Sequence, residues 1–353
     1  MSKYCRRERG LRELYDKDSK YADELVFSRR HLLRKASLSG MCLALGLSIP
    51  FGKLMPKGLI PAAFADSEDN FVIEGKNGLR ILNDRPINAE TPVHLLDDDV
   101  TPVSRFFVRN NGIPPMGFLE PWVLKIDGEV ENPLTLSIRD LKTTFETVKK
   151  KLQLECGGNG RSKFNPPARG NQWTLGAIGN AEWTGVRYKD LLEAAKIRSN
   201  AVYTAHYGRD VHLSGDPQKT ALSRGMPIWK AMDPHTLVAY EMNGEPIHPL
   251  NGAPLRVVAP GWPGSVSQKW LNRIQIRDVV HDGTKMTGKS YRVPTYPIAP
   301  GQKIAKTDFK IIESMPVKSI ITFPKNDTEV VGLIAEIRGQ AWAGDKKVVS
   351  VDI

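Results

Sequence analysis

The chain has 353 residues, of which 41% are hydrophobic and 25% charged, the composition of a globular, soluble protein long enough for two domains and a sizeable core. Its net charge of +11 is unevenly spread. Residues 1–65 hold 13 Lys/Arg against 6 Asp/Glu, the two signs nearly balance beyond them, and no long basic run follows, so nucleic acid is not an expected partner.

The first predicted feature is a leader. "SRRHLLRKASLSGMCLALGLSIP" places Arg29 and Arg30 ahead of an apolar run from about Ala36 to Ile49. That run is short and glycine-containing for a bilayer span. Ala63-Phe64-Ala65 then fits a small-x-small cleavage site. Ser28 to Leu33 resembles a twin-arginine export signal, which is a receptor-read address. An ordinary secretory signal or an uncleaved anchor is the plainer alternative. The expectation is a leader over residues 1–65 and export in the folded state, with a periplasmic remainder that has no membrane anchor after cleavage. Loss of the leader removes Cys5 and Cys42, leaves Cys156 as the lone thiol, and excludes an intramolecular disulfide.

Residues 66 to about 102 read as polar and irregular. "SRFFVRNNGIPP" reads as a short strand running into a turn, "PWVLKIDGEV" as a strand, and "LSIRDLKTTF" as a short helix. The alternation in "KKKLQLE" predicts a strand that ends at Cys156. "WTGVRYKDLLEAAKI" predicts a turn and then an amphipathic helix. "NAVYTAHYGRD" predicts a strand and loop. "PIWKAMDPHTLVAYEMNGEPI" predicts a short helix, a strand and an Asn-Gly turn. "APLRVVAPGWPGSVSQKWLNRIQI" reads as two strands around a Gly/Pro loop. Strands and helices alternate without a regular βαβ rhythm, so the fold class is mixed α+β. From about residue 303 the texture is β only, in "FKIIESMPVKSIITFP", "EVVGLIAEIRGQAWAG" and "KKVVSVDI". These suggest a small β-sandwich with too few strands for a complete immunoglobulin-like domain, hence an apparently truncated one.

The chemistry centres on "LECGGNGR". Structural cysteines are usually buried among apolar side chains. Gly157, Gly158 and Gly160 leave Cys156 few such neighbours and let another group approach the backbone closely. Cys156 is a nucleophile, a redox thiol or a metal ligand. His206, His212, His235, His248 and His281 are candidate partners, but none sits in a cysteine-hydrolase motif. A zinc site wants more Cys/His in close spacing, whereas a thiolate suits a redox metal whose other donors come from an organic cofactor. Arg109 and Arg161 lie in turn-rich loops, where guanidinium forks bind oxyanions or merely face solvent. On composition alone Tyr240 is an ordinary strand aromatic. Lys269 is equally a strand start, and His206 a satisfied buried histidine.

Taken in order, "FFVRNN", "LECGGNGRSKF", "WTLGAIGNAEWTGVRYKDLL", "PIWKAMDPHTLVAYEMNGEPI", "NGAPLRVVAPGWPGSVSQKWL" and "MTGKSYRVPTYPIAPG" resemble the sulfite oxidase family of molybdopterin enzymes, most closely its bacterial periplasmic sulfite dehydrogenases. The resemblance runs from about residue 90 to the end. It implies a molybdopterin-binding catalytic domain over 66–285 and the start of an immunoglobulin-like dimerisation domain over 286–353. It implies that Cys156 ligates molybdenum and that Phe107, Val108, Arg109, Asn110 and Asn111 form a pterin-holding loop. Asn251, Arg256, Ser267, Gln268 and Lys269 match cofactor-binding positions, with His206 in a phosphate-binding loop. Arg109, Arg161 and Tyr240 match the substrate pocket. Asn111 and Asn251 stand where relatives carry histidine, and Gly160 replaces one arginine of a pair. The implied reaction is oxidation of sulfite to sulfate with water as oxygen source. The implied electron acceptor is a separate c-type cytochrome, because no CxxCH motif signals haem in this chain. A homodimer is also implied. The rival readings are a molybdopterin enzyme acting on carrier-bound sulfur or an oxide, and a non-catalytic periplasmic binding protein on the same fold.

Overall fold

The computed structural model describes residues 72–115, 121–288, 290–299, 301–329 and 334–353. The expected leader lies outside them. No helix among the described residues is long and apolar enough to cross a membrane.

Two sheets form the body. The first runs Glu245–Pro246, Leu237–Met242, Ile178–Arg187, Thr147–Glu155, with Arg256–Val258 also paired to Leu237–Met242, all antiparallel. The second runs Leu134–Ser137, Val123–Gly128, Leu271–Arg277, Tyr203–Gly208, and its central pair is parallel. A three-stranded antiparallel sheet, Arg80–Asp84, Ile87–Glu90 and Val108–Arg109, carries the Phe107–Asn111 segment. The fold is mixed and sheet-rich, as the lack of βαβ rhythm predicts.

Local chemistry explains the few helices. Ile138–Thr144 starts at a capping box: Ser137 accepts from the Asp140 amide and Asp140 accepts from the Ser137 amide. The strand Leu134–Ser137 ends in the first two residues of "LSIRDLKTTF", and seven of the remaining eight form the expected short helix. Tyr188–Ala195 buries Tyr188, Leu191, Leu192 and Ala195, a stripe at helical spacing. That stripe packs with Leu124, Ile126, Leu141, Leu271, Ile274 and Ile276 into the main core. Each fully buried leucine there contributes about 1.5–3 kcal/mol.

The expected turn at "WTGVR" is absent. Ile178–Arg187 is one continuous strand, and a side chain at Gly185 would collide with the Val238 carbonyl of the neighbouring strand. The register shifts there, so the glycine marks a close backbone approach within the sheet. The Asn-Gly turn is present: Asn243 and Gly244 have φ of 55° and 80° and join Leu237–Met242 to Glu245–Pro246.

The C-terminal region forms two antiparallel ribbons, Arg292–Pro294 with Phe309–Ile311 and Lys318–Phe323 with Arg338–Trp342. Among the described residues each is a separate two-stranded sheet, and residues 343–353, including "KKVVSVDI", contain no strand. The second ribbon packs on the body instead: Ile320 and Trp342 are buried against Leu96 and Ile178.

Candidate active site

Thr147–Glu155 alternates its buried residues along the strand, with Val148, Leu152 and Leu154 turned inward, and delivers Cys156 at its end. The thiol is buried, accepts a hydrogen bond from the Gly158 amide at 3.4 Å, and lines a cleft that is partly open to solvent. The Gly264 amide donates to the Glu155 carbonyl at 2.6 Å, which brings the Gly/Pro loop of "APGWPGSVSQ" against the thiol. Phe107, Arg109, Asn111, Asn251, Arg256, Ser267, Gln268 and Lys269 line the same cleft, so nine expected site residues including Cys156 converge.

One end of the cleft collects buried cations. Arg256 donates to the Asn251 and Ser267 carbonyls at 2.5 and 3.2 Å, and burial lowers its pKa to about 9. Lys269 Nζ donates to Asn110 Oδ1 and to the Leu250 carbonyl, and burial, reinforced by Arg256, holds its pKa well below the usual lysine range. Behind the lining residues, part-buried Lys76 donates to Val103 O, Phe106 O and Asn251 Oδ1, with its pKa lowered to about 7 by burial. These bonds all end on neutral oxygens. Among the described residues that line the cleft Asp210 is the one carboxylate, and burial raises its pKa to about 6.

Arg109 Nη2 donates to Asn111 Oδ1 at 3.0 Å and to the Tyr291 hydroxyl at 3.1 Å. Tyr291 also lines the cleft, and its ring lies over the buried Arg224 guanidinium at 5.0 Å. Tyr291 lies within "MTGKSYRVPTYPIAPG", but nothing in its residue types singles this tyrosine out. It follows an irregular loop and adopts a left-handed backbone, φ 52°, that no periodicity reveals.

Five expected residues are placed elsewhere. Tyr240 sits in the main core, its hydroxyl bonded to Thr147 Oγ1 at 2.8 Å and its ring beneath Lys142. Its strand position turns it into the core, and it is not among the residues that line the cleft. Arg161 fits into a slot left by Gly158 and Gly170 and donates to the Asn171 carbonyl at 3.1 Å, so its guanidinium braces the cysteine loop and does not line the cleft. His206 is fully buried between Tyr188, Thr204 and the Val266 carbonyl, all at 3.1 Å. Burial lowers its pKa to about 3, so the imidazole is neutral at physiological pH. Val108 packs with Ile73 and Ala89 beneath the loop. Asn110 is buried beside the cleft and anchors Lys269.

These residues fit a large anionic cofactor that brings a soft metal. Gln268 Oε1 and Ser265 Oγ are buried at the cleft without a partner, and the buried cations there have only neutral acceptors. Such groups are costly unless a ligand completes them. Among the described residues no three His, Cys, Asp or Glu gather as an all-protein metal site. A metal bound at Cys156 therefore takes its other donors from an organic group.

Comparison with known proteins agrees. Residues 111–285 match the family described as the oxidoreductase molybdopterin binding domain. The chain is 34% identical to mitochondrial sulfite oxidase of Rattus norvegicus over 289 residues, covering 78% of this chain and 51% of that protein. It is 30% identical to nitrate reductase [NADPH] of Fusarium oxysporum, covering 85% of this chain and 35% of the other. The crystal structure of the sulfane dehydrogenase SoxCD from Paracoccus pantotrophus superposes with a TM-score of 0.60 at 28% identity, covering 73% of this chain and 62% of that one. The chain spans about half the length of the sulfite oxidase it matches.

Proposed function

The chain belongs to the sulfite oxidase family of molybdopterin enzymes, and from that premise we propose that it oxidises sulfite to sulfate, taking the oxygen from water. The observation that carries this reading is the Arg109–Tyr291 pair lining the same cleft as the Cys156 thiol. The cofactor, when bound, supplies the redox chemistry. Cys156 would ligate its molybdenum as thiolate, Arg256 and Lys269 would meet its anionic end, and Ser265 and Gln268 would complete polar edges.

The chain's own groups do the rest. Arg109 binds the oxyanion through charge-assisted hydrogen bonds and the Tyr291 hydroxyl adds a donor, both preorganised before substrate arrives. Phe106 and Phe107 form an apolar wall that limits water. Oxidation of sulfite by water releases two protons and two electrons. Asp210, with its pKa raised to about 6, is mostly ionised at neutral pH and so can accept one of these protons, while the electrons leave singly to an external acceptor, for which a c-type cytochrome is the proposed class. Sulfite-dependent reduction of cytochrome c by purified protein with its molybdenum content measured tests this reading.

A second reading, oxidation of carrier-bound sulfur, is favoured by the likeness to the sulfane dehydrogenase structure. Steady-state comparison of sulfite with a protein persulfide separates the two. Three further proposals complete this reading. Residues 1–65 are a twin-arginine leader to the periplasm. Residues 286–353 open a β-rich dimerisation region. Haem is carried by the partner and not by this chain.

A further inference from the structure

Asn111 Oδ1 is approached by three donors. Arg109 Nη2 stands at 3.0 Å, Lys285 Nζ at 2.7 Å and the Tyr291 hydroxyl at 3.1 Å. Guanidinium and ammonium groups only donate, so the atom they face is the amide oxygen. An amide oxygen offers two lone pairs. Three donors, two of them cationic, oversubscribe this neutral acceptor. A small oxyanion offers a lone pair to every donor and adds negative charge at this point, where the one cleft carboxylate among the described residues, Asp210, already interacts electrostatically with Lys285.

The backbone is shaped for this convergence. Lys285 and Tyr291 have φ of 69° and 52°, left-handed values uncommon for residues other than glycine. Both come from the irregular stretch between strands Leu271–Arg277 and Arg292–Pro294, and both end on the same oxygen. Strained positions that aim polar groups at one point mark a site built for binding.

We propose that Lys285 is a substrate-binding cation, completing with Arg109 and Tyr291 a three-donor seat for a small oxyanion that Asn111 Oδ1 fills between turnovers. The identity of that anion as sulfite rests on the function proposed above; the seat itself rests on the geometry.

The test compares wild-type holoenzyme with Lys285→Met and Lys285→Arg, using sulfate as a non-reacting probe in titration calorimetry and sulfite in steady-state kinetics. Loss of one charge-assisted bond weakens sulfate and raises the sulfite KM roughly tenfold or more. The kcat changes far less, and arginine recovers most of the loss. Equal sulfate affinity in wild type and the methionine variant overturns the proposal. A wild-type measurement guards against a variant that does not fold: acetylation of Lys285 by an amine-reactive ester, read by mass spectrometry, slows when sulfate is present. An unchanged acetylation rate in saturating sulfate also overturns it. Sulfate binding that depends on Lys285, in an enzyme that does not turn over sulfite, upholds the seat and removes the sulfite reading alone.

Discussion

Glu155 Oε2 accepts a hydrogen bond from Trp342 Nε1 at 2.9 Å, which ties the residue before the cleft thiol to the C-terminal ribbon. The same buried carboxylate accepts from Lys318 Nζ at 2.6 Å and from Asn159 Nδ2 at 3.1 Å. The cysteine loop is thus braced from outside the molybdopterin-binding match.

Lys318→Met removes the cation beside a buried charge. Losing such a partner costs about 3–5 kcal/mol when both are buried, and less here because Lys318 is partly exposed, so about 1–3 kcal/mol is expected. Urea unfolding measures it. A midpoint within error of wild type would show that the ribbon does not brace the loop.

Two tyrosine variants separate the expected residue from the observed one. Tyr240→Phe loses a hydrogen bond to Thr147 and about 1 kcal/mol of stability, with sulfite kinetics unchanged. Tyr291→Phe keeps stability and lowers kcat/KM for sulfite about tenfold or more. The opposite pattern of kinetic loss would return Tyr240 to the site.

Asp210 predicts a pH dependence in cofactor-free protein. Burial raises its pKa from 3.8 to about 6, so the folded state holds the proton more tightly than the unfolded chain. The stabilisation is complete below the unfolded pKa and is lost as pH rises through about 6, at most about 3 kcal/mol in all. Asp210→Asn flattens that slope. If the slope of unfolding free energy between pH 4 and 7 is the same in wild type and variant, the carboxyl is not held as described.

Changing Arg29 and Arg30 together to lysine keeps the charge but removes the arginine pair a twin-arginine receptor reads. Cell fractionation is expected to find the variant in the cytoplasm. Processed, active enzyme in the periplasm would contradict the leader reading.

Much of this molecule is legible where periodicity governs. The strand Thr147–Glu155 and the helix Tyr188–Ala195 follow from alternation and from a helical stripe, and the first of them places Cys156. Gly185 misleads because glycine signals a turn and a close sheet contact equally well. Tyr240 and His206 belong to strands, and only tertiary packing decides which face of a strand meets a cleft and which meets a core. Arg161 is drawn into a slot between Gly158 and Gly170, which lie twelve residues apart in sequence. Tyr291 and Lys285 escape any local reading because strained loop backbone carries them to Asn111 from 180 and 174 residues away.

Ligation of the metal by the Cys156 thiolate is the central requirement of the site. Wild-type protein and Cys156→Ser, each with its molybdenum content measured, are to be compared in sulfite-dependent reduction of cytochrome c. Serine offers a harder, poorer donor to a redox metal, so the fold survives and turnover is lost at equal metal content. Near wild-type sulfite oxidation by the molybdenum-loaded serine variant would contradict the assignment of Cys156.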